Sequence, residues 1–156
     1  MPTTIYFSGS ISGGRQDAPL YRRLVAELEG KGHRVIAGAV AAENIGSAGE
    51  SLTAAAIFER DLGWIEEVAA AGGVLVAEVS RPSTGVGYEI AAARYRFGVP
   101  VVCLYRPAHT QRCTAMISGD AGIELIEYEE ARIDAMLLRL EAALARAARP
   151  VAPTPR

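Results

Sequence analysis

The chain is 156 residues long, half of them hydrophobic, with 16 basic against 18 acidic residues, a formal net charge of −2 and a pI near 5.7. That is the size of one domain able to bury roughly two-thirds of its unfolded surface, so a core can form without disulfides or metal. The lack of basic excess argues against binding a nucleic-acid backbone, whereas a small phosphorylated ligand needs only one local anion site.

Thr3 to Ser8 reads as a β-strand that runs into a Gly/Ser-rich loop, Gly9 to Arg15. Leu20, Leu24, Val25 and Leu28 then recur at helical spacing, and Gly30 and Gly32 stop that helix. A second strand over about Arg34 to Ala37 leads through a small-residue loop to a helix over about Thr53 to Ala70, which Gly72 and Gly73 end. Val74 to Val79 is a buried strand and Arg81-Pro82-Ser83 a turn. Gly85 to Arg96 has helical periodicity before Gly98 breaks it. Pro100 to Tyr105 and Ile123 to Glu127 supply two more strands. A last helix over about Glu129 to Ala147 carries Ile133, Leu137, Leu140 and Leu144 on one stripe. This makes a single domain over residues 1–148, with 149–156 and their three prolines as a frayed tail.

Near-continuous apolar strands alternating with helices predict an α/β fold, a flavodoxin-like (Rossmann-like) three-layer sandwich with a five-stranded parallel sheet in the order 2-1-3-4-5. Ligands bind such sheets where the strand order reverses, outside the carboxyl ends of strands one and three. Two segments therefore meet, Tyr6 to Arg15 and Glu78 to Glu89.

In the first, the glycines allow close backbone approach, and Ser8, Ser10, Ser12 and Arg15 offer donors, although a loop of this composition also serves as a plain turn. It is not a Walker loop, because no Gly-Lys-Ser/Thr follows. In the second, Ser83 stands as an N-cap, and the amides of Thr84 to Gly87 would form an anion cradle. Glu89 lies too deep for a capping box; it either complements the helix dipole or works chemically. In the helix after strand two, Ile57, Phe58, Leu62, Ile65 and Val68 define an apolar stripe with Asp61 near its middle. Asp61 is then either salt-bridged to Arg60 or another arginine, or kept protonated by burial beside Trp64 as a general acid. Glu59, Glu66 and Glu67 read as solvated charges. One ionised and one protonated carboxyl suit glycosidic-bond cleavage.

Two cysteines and two histidines lack metal-ligand spacing, so no metal and no cofactor is expected. Cys103 reads as a buried hydrophobe and Cys113 as a loop residue without a disulfide partner. His33 and His109 read as solvated loop residues. The start, Met1-Pro2-Thr3-Thr4, has no secretory pattern, and no run of 18 apolar residues occurs, which points to a cytoplasmic protein off the membrane.

Tyr6-Phe7-Ser8-Gly9-Ser10-Ile11 with Gly13-Gly14-Arg15, Asp61-Leu62 with Trp64, Val76-Ala77-Glu78-Val79, Pro82-Ser83 with Gly85-Val86-Gly87-Tyr88-Glu89, Leu104 with Arg106-Pro107, and Ala115-Met116-Ile117 with Gly119 stand in collinear order over about residues 4 to 135. This set resembles the 2′-deoxynucleoside 5′-phosphate N-hydrolases of the nucleoside 2-deoxyribosyltransferase superfamily. The resemblance implies a homodimer that splits a 2′-deoxynucleoside monophosphate into free base and 2-deoxyribose 5-phosphate. It implies Glu89 as a nucleophile forming a deoxyribosyl intermediate, Asp61 as the acid and later base, and Tyr6 as a hydroxyl that orients the nucleophile or sugar. It further implies substrate contacts at Ser8, Gly9, Ser10, Ile11, Ser12, Gly14 and Arg15, and a phosphate cradle of Ser83, Gly85 and Gly87. Thr114 and Met116 complete the neighbour's site. Deoxyribosyltransferases typically have aspartate at the Ser83 position, where a carboxylate would repel phosphate.

The chain departs from the pattern at Ser12, where mammalian-type members have arginine, at Ala39, where they have histidine, and at Gly73, where the superfamily usually has aspartate. The alternatives to a deoxynucleotide hydrolase are a ribonucleotide (CMP-type) N-glycosidase, a deoxyribosyltransferase, and a nucleotide-sensing module that lost its chemistry around Gly73.

Overall fold

The computed structural model describes residues 1–11, 15–41, 51–110 and 112–148. Its five strands are β1 (Thr4–Gly9), β2 (Arg34–Ile36), β3 (Val74–Glu78), β4 (Val101–Tyr105) and β5 (Ile123–Glu127). All neighbours pair in parallel in the order β2-β1-β3-β4-β5, as the sequence predicts. The helices are α1 (Ala18–Gly30), α2 (Ala54–Ala70), α3 (Thr84–Ala91), α4 (Ala115–Ser118) and α5 (Ile133–Ala147).

β1, β3 and β4 are buried on both faces, and alternate residues feed two separate cores. Ile5, Phe7, Val74, Val76, Val102 and Leu104 meet α1 and α5 through Leu24, Leu28, Met136 and Leu140. Tyr6, Leu75, Ala77, Val101 and Cys103 meet α2 and α3 through Leu62, Ile65, Val68, Val86 and Ile90. Each fully buried aliphatic or phenyl side chain contributes about 1.5–3 kcal/mol of transfer free energy, so a helix on each face is what makes the central strands stable.

Helix boundaries follow local chemistry. Thr53 caps α2 by accepting from the Ala56 amide at 3.2 Å, and α2 ends where Gly72 turns left-handed at φ +64. The predicted helix over Gly85 to Arg96 is α-helical only to Ala91 and continues as a π-helical turn, Ala92–Arg96. The last helix opens with a 3-10 turn, Glu130–Arg132, before α5, and the connection after β4 contains the one-turn α4. Phe58 is half exposed, not part of the buried stripe of α2, which is Leu62, Ile65 and Val68.

His33 is not solvated. It is buried, its Nδ1 accepts the Thr3 amide at 3.0 Å, and its Nε2 meets Glu141 at 3.1 Å, so it ties the start of β1 to α5. Gly73 also has a structural explanation. A Cβ there would stand 2.1 Å from the Thr4 carbonyl oxygen, so no side chain fits where β3 begins beside β1. Among the described residues no helix is long and apolar enough to cross a membrane, and no group of three potential ligands could hold a metal ion. Predictions for Ser12, Gly14, the connection over 42–50 and the tail lie outside the described residues, as does the Arg15 side chain.

Candidate active site

Strand order reverses between β1 and β3, and a cavity of about 550 Å3 opens there. Tyr6, Gly9, Ser10 and Ile11 from β1 and its loop line it, as do Arg60, Asp61 and Trp64 from α2, and Pro82, Ser83, Thr84, Gly85 and Glu89 at the start of α3. The two predicted segments therefore meet as expected, and α2 closes the third side.

Glu89 is held from β1. The Tyr6 hydroxyl donates to Oε1 at 3.0 Å, and the Ser8 hydroxyl donates to Oε2. Period-two alternation explains this, because Tyr6 and Ser8 point to the same sheet face, toward α3. Ser8, expected as a substrate contact, is fully buried, does not line the cavity and has its hydroxyl on the Glu89 carboxylate. Burial pushes the Glu89 carboxyl above its ordinary pKa; the Ser8 and Tyr6 hydrogen bonds oppose that shift and the charge of Asp61 adds to it. Burial, with Glu89 beside it, also pushes the Tyr6 phenol up, so Tyr6 remains a neutral donor.

Asp61 is ion-paired. Arg60 Nε and Nη2 both reach Asp61 Oδ1 at 2.8 Å, and the guanidinium lies over the Trp64 ring, 4.6 Å from its centroid. Of the two readings the sequence leaves open for Asp61, the salt bridge to Arg60 is the one seen, and desolvation falls on Glu89. Trp64 is seated by Gly38 at φ +48, where a Cβ would lie 2.6 Å from the ring.

The anion cradle is smaller than the sequence suggested. Ser83 Oγ accepts from the Val86 amide at 3.3 Å, and the Gly87 amide closes on the Ser83 carbonyl at 3.1 Å. The first two amides of α3, Thr84 and Gly85, have no acceptor within the helix. With the Ser83 hydroxyl they are the donors left open at this helix start, and the Gly87 amide is not among them.

Gly87 instead lines a second cavity, of about 930 Å3, on the other side of α3, together with Thr114 and Met116. Pro82, Ser83 and Thr84 line both cavities. Within one chain, then, Thr114 and Met116 stay apart from Glu89.

Sequence reasoning missed a buried charge cluster under these loops. Arg106 is 2% exposed, donates through Nε to Glu78 at 3.1 Å and through Nη2 to Asp17 at 2.6 Å, and also reaches Glu130 at 3.1 Å. Arg81 Nε donates to the same Asp17 oxygen at 2.7 Å. Glu78 is completed by the hydroxyls of Ser80 and Tyr128. Burial disfavours the charged Asp17, but the bonds from Arg106 and Arg81 outweigh it and hold that carboxyl below its ordinary pKa. The only sequence signal was a glutamate ending an apolar strand and an arginine ending the next.

No family model matches the chain. It is similar in fold to the CMP N-glycosidase BcmB of Clostridium botulinum, with a TM-score of 0.60 at 17% identity, over 88% of this chain and 98% of that one. It is 39% identical over 144 residues to the 5-hydroxymethyl-dUMP N-hydrolase of Mus musculus, covering 89% of this chain and 80% of the relative. The human 5-hydroxymethyl-dUMP N-hydrolase is 40% identical over 140 residues, 86% of this chain and 77% of the relative. A putative 2′-deoxynucleoside 5′-phosphate N-hydrolase 1 of Methanococcoides burtonii is 37% identical over 116 residues, 74% of this chain and 89% of the relative. The fold, the cavity and these relatives define an enzyme that cleaves N-glycosidic bonds. Within that class, the chain belongs to the 2′-deoxynucleoside 5′-phosphate N-hydrolase family.

Proposed function

We propose that this enzyme hydrolyses 2′-deoxynucleoside 5′-monophosphates with Glu89 as the nucleophile. The observation that carries the reading is the Glu89 carboxylate, fixed by Tyr6 and Ser8 on the cavity that also holds Asp61 and the Ser83-capped start of α3. The phosphate lies against the Ser83 hydroxyl and the Thr84 and Gly85 amides, the sugar beside Glu89, and the base toward Arg60, Asp61 and Trp64. A Glu89 oxygen bonds to C1′ as the C1′–N bond breaks, and the bonding pair leaves with the base. Asp61 relays a proton from solvent to that base. Asp61 then takes a proton from water, the water oxygen attacks C1′, and the ester bond breaks to restore the Glu89 carboxylate and release 2-deoxyribose 5-phosphate.

A second copy of the chain completes the site in this reading. Phe58, Tyr88, Tyr95 and Met116 are exposed apolar side chains on or beside α2, α3 and α4, and Thr114 lines the second cavity with Tyr95 and Met116. Covering this face in a homodimer puts the Thr114 hydroxyl within the neighbour's phosphate site. A single 16.5 kDa species in light scattering argues against it. A reducing, cytoplasmic setting suits the two free cysteines, one of them buried with its thiol pushed up to about 12 by burial.

The mammalian relatives' name makes 5-hydroxymethyl-dUMP the first substrate to assay, beside other deoxynucleoside monophosphates, CMP and the matching nucleosides. Chromatography should show base released from the deoxynucleotides and none with Glu89→Ala. Equal turnover of nucleosides removes the phosphate assignment, preferred cleavage of CMP removes the deoxy assignment, and exchange into an added free base marks a transferase.

A further inference from the structure

The reaction above makes no use of Asp17, Glu78, Arg81 and Arg106, although Glu78 and Arg106 are buried almost completely. Buried ion pairs are seldom more stable than apolar side chains of equal volume, while removing one partner is costly. What such a cluster does supply is fixed geometry. The partners come from four connections at the carboxyl edge of the sheet, those after β1, β3, β4 and β5. Asp17 ends the segment between β1 and α1, Glu78 ends β3, Ser80 and Arg81 lead into Ser83, and Glu130 follows β5. A single oxygen, Asp17 Oδ2, receives both Arg81 at 2.7 Å and Arg106 at 2.6 Å. The Arg106 amide also donates to Ser80 Oγ at 2.8 Å. The turn before α3 and the segment after β1 are therefore fastened to one guanidinium. Tyr6 and Ser8, in contrast, sit within β1, where main-chain pairing with β3 sets their place, Ser8 opposite Ala77.

We propose that Arg106 is a positioning residue for the 5′-phosphate site, setting through Asp17 and Arg81 where the start of α3 stands relative to the segment after β1. This rests on the phosphate reading above. Loosening the cluster displaces the cradle and leaves the Glu89–Tyr6–Ser8 set in place. The effect falls on KM for the monophosphate more than on kcat.

The test is steady-state kinetics of Arg81→Gln, Asp17→Asn, their double variant and Arg106→Lys, with melting temperatures and with inhibition by inorganic phosphate and 2-deoxyribose 5-phosphate. Each single variant should raise KM about tenfold or more with kcat changed less than about threefold, and inhibition by both anions should weaken in parallel. The double variant should be no worse than the poorer single one, because both act through one cluster. Lowered melting temperatures with unchanged KM reduce the cluster to a structural role and overturn the proposal. So does a lower KM in Asp17→Asn beside a higher one in Arg81→Gln, which makes Arg81 a direct phosphate ligand. If Arg106→Lys does not fold, Arg81→Gln still decides, since that side chain is 27% exposed. Wild-type enzyme indifferent to the phosphate overturns the phosphate reading and this inference together, whereas a phosphate preference with unmoved variants overturns only the inference.

Discussion

Ser8→Ala removes one oxygen atom from a fully buried position and leaves the packing of β1 otherwise intact. It also takes away the donor on Glu89 Oε2, while Tyr6 stays on Oε1. A hydrogen bond to a charged group is worth about 1.5–3 kcal/mol, which at 1.36 kcal/mol per unit is roughly one to two pH units on the ionisation of the carboxyl. Burial already raises the Glu89 pKa above its ordinary value, so losing this bond raises it further. The folded state then holds a proton that the unfolded chain has released, and stability declines as pH rises from the ordinary carboxylate value through the folded one. In the variant that decline extends further. Its melting temperature should match wild type at acid pH, where Glu89 is protonated in both, and fall below it by roughly 3–12 °C near neutrality for a domain of this size. The acid limb of the kcat/KM profile should move upward by roughly one to two units. A pH–rate profile and a pH series of thermal melts measure both. An acid limb that stays where it is in Ser8→Ala means that Glu89 is not the ionisation that governs activity.

Glu89→Gln should abolish base release and raise the melting temperature near neutral pH, with the gain disappearing in acid, because it replaces a desolvated anion by an amide that the Tyr6 and Ser8 hydroxyls can still bond. Ser83→Asp retains the N-cap, so its melting temperature should stay within about 1 kcal/mol of wild type in stability. Its KM for a monophosphate should rise at least about tenfold, since a carboxylate then faces the phosphate; unchanged KM places the phosphate elsewhere. Gly73→Ala pushes a methyl onto the Thr4 carbonyl and should cost about 1–3 kcal/mol or more in a thermal melt. The kcat of its folded fraction should be unchanged, because Gly73 precedes β3 and the cavity lies beyond the other end of that strand.

That last placement bears on how much of the molecule was readable from sequence. Strand order, the switch point and the meeting of Tyr6 with Ser83 and Glu89 followed from periodicity, turn residues and the parallel-sheet rule, whereas Asp61 joined them only through the family resemblance. Gly73 stands out in sequence as a departure from the superfamily pattern in the loop before β3, and only the folded chain shows the Thr4 carbonyl that leaves no room there for a Cβ. The surroundings of Glu89 and Asp61 depend on contacts between elements and were legible only in part. Residue type and helix position leave Glu89 as a dipole partner or a chemical group and Asp61 as a salt-bridged or a buried acid; burial raises the Glu89 carboxyl against the opposing hydroxyls of Tyr6 and Ser8, and the Arg60 guanidinium pairs with Asp61. The pleat, which the sequence does not show, sets the Ser8 hydroxyl on the Glu89 carboxylate. The Arg106 cluster joins residues as far apart as Asp17 and Glu130, and no spacing in the sequence encodes such a meeting.

The pleat of β1 has a further consequence, for how this enzyme can change. Odd positions, Ile5 and Phe7, belong to the core shared with α1 and α5, while even positions, Tyr6 and Ser8, belong to the layer where Glu89 is held. One strand thus carries two records that can be rewritten separately. Substitutions among Phe7, Val76, Leu104 and their partners on α5 can adapt the enzyme to temperature and leave the carboxylate untouched. Opposite them, each residue exchanged between the sheet and α3 alters the reaction along with the packing. Lineages of this enzyme are therefore expected to drift on one face of the sheet and to specialise on the other.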